Sequence, residues 1–199
     1  MRRGGLLVPL LLVPLAGCGA DEPAYTGLAE DACAGLDAQA LARSSYPGTT
    51  VRADDRAEGR GREQTRVCGL ELTGPAGRTL SISVELQTFD EEVPDEDFDR
   101  LREVDARSYQ GDVVLEESGT GRDLDGWWAD AWASTVRWTE PGRLAGVLDT
   151  AAVRADNLLV TVLVVDRSLP AAAADATARV HDETVRALLG RAKGLARRR

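Results

Sequence analysis

The chain is poor in the residues that catalysis draws on. It has one histidine, His181, three cysteines, one methionine and two phenylalanines in 199 residues. With one histidine and no Gly-x-Ser-x-Gly elbow, no serine or cysteine nucleophile is paired with a base in a recognisable pattern. Two cysteines and a distant histidine are too few ligands for zinc, so no metal site and no cofactor is expected. Gly119-Thr120-Gly121 opens like a phosphate loop but lacks the Gly-Lys-Ser/Thr that completes one. The acid run from Asp90 to Asp99 and Asp123-Leu124-Asp125-Gly126 lack the ordered ligand spacing of a calcium loop. Positive charge is scarce too: 24 Lys and Arg face 33 Asp and Glu, a net charge of −9. Nucleic-acid binding, which rests on basic patches, is not expected. No apolar run reaches the ~20 residues of a membrane-spanning helix.

What is present begins at the amino terminus. Met1-Arg2-Arg3 is a short basic region, and Leu6 to Leu15 is apolar but broken by Pro9 and Pro14. Leu15-Ala16-Gly17-Cys18 then closes the run with small residues and a cysteine. This order is that of a lipoprotein signal. Residues 1–17 are expected to be removed, leaving Cys18 to carry lipid at the outer face of the plasma membrane, where two or more acyl chains hold stably. Residues 18–27 read as the lipidated cysteine and a flexible tether, 28–193 as a single domain, and 194–199 as a solvated basic tail. Export places the domain where disulfides persist. With Cys18 spent on lipid, Cys33 and Cys68 are left to pair. The chain-entropy account of such a loop allows roughly 4 kcal/mol.

Along the domain, Leu36, Ala40 and Leu41 give a narrow stripe for a helix that Asp37 is placed to cap. Thr49 to Ala53 suggests a strand, and Asp54 to Arg62, charged and without periodicity, suggests a loop. Val67 to Leu72 alternates. Leu80, Ile82, Val84 and Leu86 alternate strictly with Ser81, Ser83, Glu85 and Gln87, a half-buried strand. The acid run reads as the start of a helix, where acids complement the macrodipole. Val113 to Leu115, Trp132 to Trp138 and Ala151 to Ala155 read as further strands. Asp156-Asn157 reads as a hairpin turn, and Leu158 to Val165 as a central strand covered on both faces. Val180, Thr184, Val185 and Leu188 stripe a last helix, with His181 a partly buried structural residue at the edge. The fold expected is α+β: a curved antiparallel sheet of about five to seven strands, helices packed mainly on one face.

All four tryptophans fall within twelve residues. Filling the core accounts for most such clusters. Trp127 and Trp128, being adjacent, cannot both point inward from a strand, so Trp127, Trp128 and Trp132 form the candidate ligand surface.

The order of features resembles an actinobacterial cell-envelope lipoprotein family of unknown function. The lipobox and tether lead into Asp31-Ala32-Cys33-Ala34-Gly35-Leu36. A second cysteine opens a strand in Val67-Cys68-Gly69-Leu70. A glycine-containing loop leads into aromatic residues, as Gly119 to Trp132 does. An apolar strand and a helix close the chain, like Leu158 to Val165 and Ala171 to Gly190. The resemblance implies a PsbP-like α+β sandwich and supplies no catalytic residues. The expected role is a non-enzymatic binding or accessory module, with an envelope protein or an apolar ligand as partner. The alternatives are a carrier with an internal apolar cavity and an envelope hydrolase using paired carboxylates.

Overall fold

The computed structural model describes residues 24–99, 101, 114–118, 124–139 and 145–198. The lipobox with Cys18, and residues 119–123 of the glycine-rich loop, lie outside them. In chain order the elements are β1 (Tyr25–Leu28), α1 (Ala32–Gly35), α2 (Ala38–Ser45), β2 (Thr50–Arg60), β3 (Glu63–Thr73) and β4 (Thr79–Thr88). Helical residues 95–99 form α3. Then come β5 (Val114–Ser118), β6 (Asp130–Thr139), β7 (Ala145–Ala155), β8 (Leu158–Leu169), α4 (Ala174–Ala192) and β9 (Ala196–Arg198). Seven strands form one sheet in the order β2-β3-β4-β8-β7-β6-β5, every pair antiparallel; β1 and β9 form a second, two-stranded sheet. The α+β expectation holds, and the apolar run from Leu158 is the middle strand.

Alternation decides which face is covered. Leu80, Ile82, Val84 and Leu86 of β4 are buried with Cys68, Leu70 and Leu72 of β3 and Val160, Val162 and Val164 of β8. Leu36, Ala38 and Ala42 of the α1–α2 segment and Val185, Leu188 and Leu189 of α4 belong to the same core. A disulfide joins Cys33 in α1 to Cys68 in β3, with Cα atoms 4.9 Å apart, and ties this helical layer to the sheet. On the opposite face, Trp132, Ala152 and Leu159 pack with Val93 and with Phe98 of α3. Val136, Leu148 and Val165 form a further buried cluster there.

Three local expectations change. The charged stretch from Asp54 is strand, not loop: β2 pairs with β3 in unbroken register from Thr50↔Thr73 to Arg60↔Glu63. Backbone pairing needs no apolar alternation when a strand ends a sheet and one face stays wet, so period-2 reasoning misses it. The capping acid is Asp31, which accepts the Ala34 N–H at 2.7 Å; Asp37 stands in the left-handed region (φ 48°) with no side-chain capping bond. Finally, both boundaries of the domain move outward. Tyr25 to Gly27, read as the end of the tether, and Leu28 pair with Ala196 to Arg198, read as tail. Burial of Tyr25 and Leu28 against the main core supplies the reason.

Candidate functional site

The structure separates the three tryptophans singled out from the sequence. Trp127 and Trp128 are half-buried against the main core and meet edge-to-face at 5.8 Å. Both indole N–H groups are used internally: Trp127 donates to the carbonyl of Leu189 at 3.0 Å, and Trp128 to that of Leu124 at 2.5 Å. A side chain at Gly126 would run into the Trp128 ring, with a Cβ 2.3 Å from it, which explains glycine at that position. Trp132 lies on the opposite face of the sheet, 6% exposed, beside Phe98. The three therefore form no common surface.

Two other groups of side chains stand out. The first is inside the core. In β7, Val147, Ala151 and Val153 point to the helical layer, and Asp149 occupies the same side. Asp166 likewise continues the inward row Val160, Val162 and Val164 of β8. His181 of α4 inserts between them, its Nδ1 3.2 Å from Asp149 Oδ2 and its Nε2 3.9 Å from Asp166 Oδ2. Neither ring nitrogen reaches hydrogen-bond alignment, so these are ion-pair contacts. Arg78, before β4, grips Asp166 through Nε and Nη2, with Nε 2.9 Å from Oδ2. The Thr135 hydroxyl donates to Asp149. Tyr46 lies edge-on to the imidazole at 6.0 Å and bonds Thr184 at 3.3 Å.

Burial alone pushes the His181 pKa down; the two carboxylates outweigh it, and the net shift is upward. Tyr46 is shifted up mainly by burial, and stays neutral. With His181 charged, two cations meet two anions. This paired-carboxylate arrangement is sealed, since His181 and Asp166 are 0% exposed and Asp149 1%. None of the three is open to a molecule arriving from solvent in this conformation. Arg78, 35% exposed, is the member that reaches solvent, at an open depression of about 260 Å3 shared with Tyr46, Thr177 and Val180.

The second group is open. On the outer face of β2, β3 and β4, Arg52, Asp54, Arg56, Val67, Glu71, Ser81 and Ser83 line a trough of about 430 Å3. Gly69 contributes no side chain and leaves the trough deep at its middle. Arg56 Nε lies 2.7 Å from Asp54 Oδ2, with the two side chains 70% and 58% exposed. Sequence reasoning misses this surface because it places Asp54 to Arg62 in a loop. Its signal is the polar row Ser81, Ser83, Glu85 and Gln87, read only as the outside of a strand. The trough offers both charge signs and hydroxyls in an extended array. That suits a polar partner surface; no histidine or thiol stands there for proton transfer or nucleophilic attack.

No protein-family profile matches the chain, and no curated protein matches it. Among solved structures it is similar to an uncharacterised protein from Mycobacterium smegmatis, an ortholog of Rv0999. That likeness covers 79% of this chain and 96% of the other at 14% identity, with a TM-score of 0.41, and carries no functional argument.

Proposed function

We propose that the chain is a lipid-anchored accessory module at the outer face of the plasma membrane, without catalysis of its own. It binds an envelope protein along the bare face of β2, β3 and β4. One observation carries the reading: His181, Asp149 and Asp166 are closed inside the core, while charged and hydroxyl side chains line an open trough. The trough is polar, which favours a protein over an apolar ligand. The Cys33–Cys68 bond supports an oxidising compartment and hence export.

The binding reading is tested with a photo-crosslinking amino acid at Ser83, in the trough, and at exposed Arg179 on α4, in intact cells. A discrete adduct at Ser83 alone is expected. Adducts at both positions, or at neither, overturn it. The anchor is tested separately: Cys18→Ala is expected to release the protein into the medium, and retention on the membrane rules out lipid on Cys18.

A further inference from the structure

β2 ends the seven-stranded sheet, and among the described residues no strand pairs with its outer edge. From Thr50 to Arg60 its residues are exposed or half-buried. Charges on an edge strand commonly act as guards against unwanted pairing. Those on β2 are ordered. Its bare face reads Arg52, Asp54, Arg56, Glu58, alternating in sign. Asp54 and Arg56 already form a pair along the strand.

The alternation is self-complementary about any odd-numbered residue from 53 to 59, and Asp55 gives the longest match that stays clear of Gly59. An antiparallel pairing of β2 with its own copy, keeping both helical layers on one side, has its two-fold axis normal to the sheet and centred on a residue. Centring on Asp55 sets Arg52 opposite Glu58 and Asp54 opposite Arg56, each of them twice. Each of these four charges then meets its opposite, and Arg60 faces Thr50. Centring on Asp54 sets Arg52 against Arg56, and centring on Arg56 sets Arg52 against Arg60. Centring on Ala57 also matches charges, Asp54 with Arg60 and Arg56 with Glu58. It carries both copies through Gly59, whose φ of +78° takes the backbone out of the extended conformation. On the other face, Asp55 meets its own copy. Its exposed carboxylate is turned toward α1, where it accepts the Cys33 N–H at 2.7 Å and lies beside Asp31.

We propose that β2 pairs antiparallel with β2 of a second copy about a two-fold axis at Asp55, joining the two sheets into one. The ladder spans residues 52–58. An interface this short falls at the small end of the range for specific contacts, so weak, reversible association is expected. The dimer sets the two bare troughs side by side. It stands independently of the envelope-partner reading.

Sedimentation equilibrium of the purified protein up to ~100 μM tests it, that ceiling being set by the weak affinity expected of so small an interface. A reversible dimer is expected. Asp54→Arg turns both central pairings into arginine against arginine, and Arg56→Asp turns both into aspartate against aspartate. Each variant alone is expected to dimerise at least about tenfold more weakly, since like charges opposed across a ladder repel. In an equimolar mixture, each heterodimer sets the two arginines of one variant against the two aspartates of the other, and its strength is expected to return to that of the wild type. Circular dichroism checks that both variants fold; the two side chains are mostly exposed. A monomeric wild type at the highest concentration overturns the proposal and makes the charges guards. So do single variants that dimerise normally, or a mixture that stays monomeric.

Discussion

Asp166 and Asp54 each carry an arginine partner, and their surroundings differ as far as one small domain allows. The Asp166 side chain is 0% exposed and is held between Arg78 and His181. Asp54 is 58% exposed, beside an Arg56 that is 70% exposed. In water the pair gains little, because solvent and salt screen it. In the core the Asp166 carboxylate loses hydration, and the hydrogen bonds from Arg78 replace part of it. One arrangement therefore locks α4 and the β3–β4 turn to β8. The other leaves its charges available to whatever approaches the sheet.

The sharpest break in that comparison is Asp166→Ala. It removes the buried carboxylate that Arg78 grips and one of the two that face His181, and is expected to cost about 3–5 kcal/mol in urea unfolding. A loss under ~1 kcal/mol would make the core cluster no different from a surface pair. Next comes the covalent tie between α1 and β3. Cys68→Ala, which leaves Cys33 unbridged, is expected to cost about 2–4 kcal/mol by the same measurement. The third is pH. The folded His181 pKa lies above its ordinary 6.5. Its contribution is full below that value and is lost as pH rises through the raised one. Melting temperature followed from pH 6 upward is expected to fall across that window, and His181→Gln is expected to flatten the fall. A stability that rises with pH over this range would mean the imidazole is buried neutral. The smallest effect is Asp54→Ala, expected to change stability by less than ~1 kcal/mol and by nothing measurable in 1 M salt.

Much of the fold is legible in the sequence because burial imposes a period. Leu80 to Leu86 and Leu158 to Val165 declare their strands, and the Pro75-Ala76-Gly77 and Asp156-Asn157 turns punctuate them where the structure does. β2 escapes the same reasoning. Held by β3 along one edge, it has no buried face demanding apolar residues over its outer half. The core cluster is half-legible. Asp149 and Asp166 each fall on the inward parity of an otherwise apolar strand, which demands a cationic partner. Which cation arrives depends on how α4 and the β3–β4 turn cross the sheet, and no local pattern encodes that. The tryptophans mislead for a related reason. Sequence proximity places Trp128 and Trp132 together, whereas Trp128 stands before β6, outside its alternation, and packs against the main core, while Trp132 of β6 faces the other side of the sheet.

Asn157, at the β7–β8 turn, reaches across to the start of the domain. Its buried side chain accepts the Tyr25 N–H at 3.0 Å and donates to the carbonyls of Tyr25 and Phe89 at 2.9 and 2.8 Å. Leu28 is bonded to Gln64 of β3, and β1 as a whole to β9. A pull applied at the amino-terminal end is thus divided among the β7–β8 turn, β3 and the carboxy-terminal strand before it reaches the core. The domain is built to bear tension at Tyr25, with one amide side chain acting as the rivet.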